Sequence, residues 1–409
     1  MRRLVVLAAA LALAACNSDA RRHGDAGVGG GGSEDLSSPL SACATAEYDA
    51  HQAPAALLVV LDRSSSMTDN NKWNFAAQAV VQALDQDIFD SMYVGLYSAP
   101  SGNVTGPECI LGTPVACQAP PFPQVNLALA STQKSMATSG VRHDIMTWLT
   151  ANSPDSGFGD ASPIYAALQS AIGALQAWSQ PGKRIILLVT DGTISCNQFS
   201  SRPGYMDCNG CSHDWEDPNN IVSLLSQANS DPNKPIETFV VGVPGADTYD
   251  AQGCSYPPYH MRLALSAIAA AGSPTNVPPT CTGKTFSQGG GDPQVSCHFD
   301  LTQGNFNTQA LSDTISLVRG KVLGCTFDLP QPDGGMLDPN QVNVEYTVNG
   351  NAVQLYKRKD PANLCAAMGC WDYSPGGDKV QLVGKACDDV QGTPDAQVKI
   401  IVGCQTLIM

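Results

Sequence analysis

The chain has 409 residues, 43% of them hydrophobic and 14% charged, which is enough apolar material for one large globular domain and a smaller one. Its net charge is −15, from 22 Lys and Arg against 37 Asp and Glu. Acidity on this scale argues against nucleic acid and against electrostatic docking on an anionic membrane as partners.

At the amino terminus, Met1-Arg2-Arg3 is a short basic region, and Leu4 to Ala12 is an apolar core too short to span a bilayer as a helix. The ending Leu13-Ala14-Ala15-Cys16 resembles the bacterial lipoprotein signal. That resemblance implies that residues 1–15 are removed and that Cys16 is lipidated as the new first residue. Cleavage there removes Arg2 and Arg3 and no acid, taking the net charge to −17. Asn17, rather than Asp, follows Cys16, so the inner-membrane retention signal of some bacteria is absent. An outer-membrane or cell-surface location in the envelope follows from the resemblance, with lipid as the only anchor. Residues 16–42, with Gly27 to Gly32 and almost no large apolar side chain, are expected to be a flexible tether.

Fifteen cysteines become fourteen once Cys16 is set aside, an even number that suits pairing in an oxidising compartment. Cys109 with Cys117 is the expected local pair, closing the Pro/Gly-rich stretch Ala99 to Phe122, and Cys254 with Cys281 a second. Cys208-Asn209-Gly210-Cys211 is read as structural, because no second ligand pair at suitable spacing supports zinc.

The folded part begins near Cys43. Strands are expected near 56–61, 92–98, 125–129, 185–190, 238–243 and 295–301, and helices over 73–84, 141–150, 164–178, 221–228, 260–271 and 308–322. Alternation of this kind predicts an α/β fold, a doubly wound and mostly parallel sheet flanked by helices, over 43–323. Cysteine-rich insertions fall at 99–124, 193–220, 244–259 and 273–294. Beyond Leu323 the pattern changes: Val342 to Tyr356 alternates around Asn349-Gly350, a strong hairpin signal, and strand-like runs follow at 379–383 and 396–402. With Cys325, Cys365, Cys370, Cys387 and Cys404, residues 324–409 read as a small disulfide-braced β module. It loosely resembles the carboxyl-terminal tails of some bacterial lipoproteins.

The chemistry concentrates in Asp62-Arg63-Ser64-Ser65-Ser66-Met67, directly after the apolar run Ala55 to Leu61. One carboxylate and two hydroxyls at alternate positions of a turn can converge on one hard cation, and oxygen-only ligands suit Mg²⁺, Mn²⁺ or Ca²⁺. A second buried-strand run, Lys183 to Thr190, ends in Asp191-Gly192, and a carboxylate there shares the crevice at the carboxyl ends of neighbouring parallel strands. Ser162, ahead of the helical run from Ile164, offers a further hydroxyl. The 29 residues from Ser162 to Asp191 accommodate one helix and one strand, whereas the 100 from Asp62 to Ser162 leave room for an insertion.

In these features the chain resembles the von Willebrand factor A domain family, with its metal-ion-dependent adhesion site. The resemblance implies that Asp62, Ser64, Ser66, Ser162 and Asp191 surround one divalent cation, Mg²⁺ in the first place. The chain departs from the family pattern at Ser65, where Gly is usual, and at Ser162, where Thr is usual. The family's function implies capture of a protein partner whose own carboxylate completes the metal coordination. The long loops leaving the carboxyl ends of the strands are the expected recognition rim, with Trp215, Tyr256 and Tyr259 as candidate anchors; packing of these aromatics against the disulfides is the alternative. No catalysis is expected: there is neither a G-x-S-x-G elbow nor a P-loop, and His213 and His260 are the only histidines on the rim loops. A structural envelope protein with a degenerate metal site and a metal-assisted hydrolase are the remaining readings.

Overall fold

The computed structural model describes residues 43–44, 46–49, 55–90, 92–100, 109–110, 113–114, 119–154, 162–192, 194, 217–249, 259–302, 304, 306–322, 325–330, 337–374, 376–393 and 396–409. Strands β1 (Ala46–Asp49), β2 (Ala55–Asp62), β3 (Tyr93–Ala99), β4 (Cys109–Ile110), β5 (Thr113–Pro114), β6 (Val125–Leu129), β7 (Lys183–Thr190), β8 (Ile236–Gly242) and β9 (Phe299–Asp300) come first. Among and after them lie helices α1 (Lys72–Leu84), α2 (Val141–Ala151), α3 (Ile164–Ala177), α4 (Pro218–Asn229), α5 (Met261–Gly272) and α6 (Thr308–Val322). The chain ends with β10 (Thr326–Asp328), β11 (Val342–Val348), β12 (Asn351–Leu355), β13 (Cys370–Tyr373), β14 (Lys379–Val383), α7 (Lys385–Gly392) and β15 (Gln397–Val402).

All eight residues of β2 are buried, because the strand lies mid-sheet with helices on both faces. Its period of two divides it: Leu57, Val59 and Leu61 pack with Trp73, Ala76 and Val80 of α1 and with Leu311 and Ile315 of α6. Ala56, Leu58 and Val60 pack with Leu168 of α3, Leu225 of α4 and Leu265 of α5 on the other face. Each such aliphatic side chain contributes about 1.5–3 kcal/mol by leaving water, so this strand anchors both cores.

The six-stranded sheet has the order β6-β3-β2-β7-β8-β9. All its pairings are parallel except that of β6 with β3. The chain leaves β2 towards β3 on one side and leaves β7 towards β8 on the other, so β2 and β7 are neighbours at a topological switch point. In open α/β sheets the crevice outside the carboxyl ends of two such strands is where ligands bind. The expected mixed fold with a mostly parallel, helix-flanked sheet is therefore present.

Helices α1 to α6 begin and end within three residues of the expected spans, as do the first five strands of this sheet, whereas α7 falls in none of those spans. The expected strand over 295–301 shrinks to β9, because Val295 is engaged elsewhere: its carbonyl accepts from the Thr282 amide at 2.8 Å. That contact also corrects a disulfide. Cys281 pairs with Cys297, not with Cys254, because the insertion after α5 folds back on itself and brings two cysteines sixteen positions apart together.

The carboxyl-terminal β module has two small antiparallel sheets, β1-β15-β11-β12 and β10-β14-β13. Its core holds Phe327, Val344, Tyr346, Trp371, Leu382 and Ile400, with Ala386 and Val390 of α7. The turn between β11 and β12 places Asn349 at φ 51° and Gly350 at φ 75°, the left-handed pair that a two-residue hairpin needs. Disulfides join Cys325 to Cys387 and Cys365 to Cys370. The sequence boundary at Cys43 needs correction. β1 pairs with β15, and Cys43 is bonded to Cys404, so the segment 43–49 completes the β module rather than opening the α/β domain. β1 alternates half-buried and exposed residues and has no apolar stripe strong enough to mark its place.

Replacing Cys43 and Cys404 together with Ser should therefore weaken the β module and leave the α/β sheet standing. A cost of about 2–5 kcal/mol is expected for loss of a native disulfide. Urea denaturation monitored by hydrogen exchange at the β11 and β15 amides reads this out; an unchanged midpoint would show that the Cys43–Cys404 bond contributes nothing to the stability of the module.

Candidate metal centre at the strand ends

Asp62 is the last residue of β2 and is 3% exposed. Its Oδ1 accepts from the Ser64 amide at 2.9 Å and its Oδ2 from the Thr190 hydroxyl at 2.6 Å. The chain then enters a short 3₁₀ segment, Ser65–Asn71, in which the buried Met67 donates its amide to the Ser64 carbonyl. This turn brings Ser64 Oγ and Ser66 Oγ to 3.1 Å from each other, so two of the expected hydroxyls do converge. Ser65 is not among the non-glycine residues with positive φ, so its side chain costs the turn no backbone strain. Arg63 holds the turn from behind: its amide donates to the Ala99 carbonyl at 2.7 Å and its Nε to the Ser153 carbonyl at 2.9 Å.

Asp191 directly follows β7 and is 2% exposed. Gly192 follows at φ 96°, and its amide donates to Thr190 Oγ1 at 3.1 Å. Thr190 thus links the two strand ends, accepting from one turn and donating to the carboxylate of the other. Ser162 is buried immediately ahead of α3, and its carbonyl accepts from the Ile164 amide at 2.9 Å. α3 packs against β2, β3 and β7, which places this serine at an end of the helix that covers the strands carrying both carboxylates.

A residue that the sequence reading missed sits in the same place. Lys72, the first residue of α1, is buried, and its Nζ donates to Asp191 Oδ2 at 2.7 Å. Asp191 Oδ1 is buried with no hydrogen-bond partner among the described residues. Burial, then the neighbouring Asp191 carboxylate, push the Asp62 carboxyl up from 3.8 to about 7, against the lowering effect of its hydrogen bonds from Thr190 and Ser64. Two buried carboxylates, one ammonium and an orphaned carboxylate oxygen leave the pocket short of positive charge. The donor set, with oxygens from Asp62, Asp191, Ser64 and Ser66, fits a hard divalent cation. It does not contain three His, Cys, Asp or Glu side chains in one cluster, and no such cluster occurs among the described residues.

The rim differs from expectation. Trp215 and Tyr256 lie outside the described residues, as do Cys16, Cys117, Cys254 and His213. Tyr259 is not a rim anchor: it is 3% exposed and packs edge-on against Phe286 with ring centroids 5.1 Å apart. Among the described residues of this loop the exposed aromatic is Tyr249, 53% exposed, with its ring 4.8 Å from that of His260. Nothing in the sequence separates the two tyrosines, since both stand in an irregular stretch between β8 and α5.

No family model matches the chain, and no curated protein matches it. Among solved structures it is similar to the pilus adhesin SpaC from Lactobacillus rhamnosus GG, with 15% identity and a TM-score of 0.43 over 87% of this chain and 40% of that one. An aerotolerance-related membrane protein from Bacteroides fragilis matches with 15% identity and a TM-score of 0.34, over 64% of this chain and 98% of that one. The pilus adhesin RrgA from Streptococcus pneumoniae matches with 12% identity and a TM-score of 0.33, over 88% of this chain and 58% of that one. The chain thus spans less than half the length of SpaC and under two thirds of RrgA. Likeness at this level bears on neither chemistry nor partner.

Proposed function

We propose that this chain is an exported, lipid-anchored binding protein whose α/β domain, of the von Willebrand factor A type, holds a divalent cation and uses it to capture a protein partner. One observation carries the reading: two buried carboxylates, Asp62 and Asp191, stand with the paired Ser64 and Ser66 hydroxyls at the switch point of the sheet, with one carboxylate oxygen unsatisfied among the described residues. Asp62, Ser64, Ser66, Ser162 and Asp191 are the residues that would hold the cation, Mg²⁺ first and Mn²⁺ or Ca²⁺ as alternatives. When bound, such a cation supplies a Lewis-acidic position for an anionic oxygen from the partner. Thr190 and the Ser64 amide keep both Asp62 oxygens fixed, and Arg63 keeps the serine turn from moving. Lipid at Cys16 and the tether to residue 42 would present the domain at the bacterial envelope. No helix among the described residues is long and apolar enough to cross a membrane.

The presence of Lys72 at Asp191 favours one other reading, an envelope-assembly protein whose site no longer takes metal. Metal and partner measurements separate the two. Asp62→Ala should abolish Mg²⁺ binding in calorimetry while secretion continues, and cross-linking in intact cells should lose its captured partner in that variant and in EDTA. Capture that persists in both would sink the metal-dependent mechanism.

The raised Asp62 carboxyl also sets a pH dependence. Its folded-state value lies above the unfolded one, so the stability it contributes is full below about 3.8 and is lost as pH rises through about 7. In EDTA the domain should therefore weaken between pH 5 and 8. A bound cation takes over the role of the proton, so the Mg²⁺-dependent rise in Tm should be small at pH 5.5 and grow by several degrees at pH 8. Thermal denaturation with and without Mg²⁺ checks this; a rise that does not change with pH would count against the cation lying at Asp62.

A further inference from the structure

Lys72 stands in the chemistry of the site without belonging to the expected ligand set. The 3₁₀ segment after the serine turn ends in two consecutive left-handed residues, Asn70 at φ 49° and Asn71 at φ 63°, and Lys72 opens α1 directly behind them. A lysine at a helix start ordinarily extends its stem along the surface and keeps its ammonium in water. This one does the reverse. Its side chain is 6% exposed, that of Asp191 is 3% exposed, and Nζ lies 2.7 Å from Oδ2. Burial of an ammonium is tolerated only where a charge of opposite sign compensates it.

The loop after β8 is built to admit this pair. Gly245 has φ 115°, and a Cβ there would lie 3.3 Å from Asp191 Cβ and 3.4 Å from Lys72 Nζ. A larger residue would crowd the lysine and the carboxylate together. Asp62 and Asp191 carry two negative charges when ionised, and Lys72 returns one positive charge, so the pocket retains one uncompensated negative charge. Asp191 Oδ1, buried and without a hydrogen-bond partner among the described residues, is an open acceptor in that pocket.

We propose that Lys72 is a resident counter-ion of the metal centre: its ammonium neutralises Asp191 when no divalent cation is bound, and a divalent cation must bind against it. This rests on the cation-binding reading given above and deepens it in two ways. Two cations served by one carboxylate repel each other, so Lys72 lowers the affinity of the centre and keeps binding reversible. It also leaves the loaded centre with a net charge of +1 where the carboxylates and a divalent cation alone would give zero, which favours an anionic group from the partner over a neutral one.

The test uses the full chain and Mn²⁺ as the probe. Lys72→Met keeps the length and apolar bulk of the stem and removes the charge, and Lys72→Gln is a second variant that retains a polar contact to Asp191. Calorimetric titration should show Mn²⁺ binding about tenfold or more tighter in both variants than in the parent. Thermal denaturation in EDTA should place both variants below the parent, and saturating Mn²⁺ should close that gap, because the metal restores the missing charge. A lysine that merely packs would leave the gap open in Mn²⁺. Equal or weaker Mn²⁺ binding in the variants overturns the competition and makes Lys72 a residue that positions Asp191, with the metal centre itself intact. Failure of the parent and both variants to bind Mn²⁺ refutes the metal centre and, with it, the exchange.

Discussion

Two carboxylates buried side by side at the ends of adjacent central strands are the constraint around which this domain is arranged. Asp62 and Asp191 are both almost wholly buried, and the energetic demand of such a pair is for positive charge and hydrogen-bond donors. The fold supplies donors from local sources: the Ser64 amide on one Asp62 oxygen, the Thr190 hydroxyl on the other. It supplies charge from a distance, through Lys72, 119 positions away from Asp191 in the chain. Among the described residues, one oxygen of Asp191 remains without a hydrogen-bond donor.

The pair is tolerable because the strands bearing it are held firmly. β2 buries every residue between two helical layers, and β7 buries all but its first, so the strand ends are fixed to the sheet and not to mobile loops. The register between them, with Leu61 opposite Val189, sets Asp62 beside Thr190 rather than one residue further along. A shift of one position would turn Asp62 towards the other face and break its bond to Thr190. The precision of the site is thus a by-product of core packing on both faces of the sheet.

What could be read in the sequence was what depends on short-range pattern. β2 and the middle of β7 are apolar runs, one ending in Asp62 and the other followed by Asp191, and their burial and their neighbourhood follow from that. Lys72 was not legible, because a lysine at the head of a polar-then-apolar stretch reads as a surface residue; only the folded path around Asn70 and Asn71 aims it inward. β1 was misplaced for a related reason. Four residues with alternating exposure acquire their identity from β15 and from Cys404, 361 positions on from Cys43. The Cys281 pairing was missed because the choice among several downstream cysteines depends on the Thr282 to Val295 contact, which no local pattern announces. Tyr259 and Tyr249 differ in their neighbours, Phe286 for the buried ring and His260 for the exposed one, and that too is decided by packing.

The turn after β7 and the segment that follows β8 meet backbone to backbone. Gly192 at φ 96° passes so close to the next loop that a Cβ would stand 2.8 Å from Ala246 Cα, while a Cβ on Gly245 would stand 3.2 Å from the Asp191 carbonyl oxygen. The Val243 amide donates to the Thr190 carbonyl at 3.0 Å, and the Met261 amide to the Thr248 carbonyl at 3.1 Å. Backbone therefore packs on backbone from the Asp191 turn through to the Tyr249 bridge with His260. With no side-chain slack between them, the carboxylate and the exposed aromatic are held by one continuous piece of structure. The exposed ring of Tyr249 is therefore positioned by the same backbone contacts that fix the Asp191 turn.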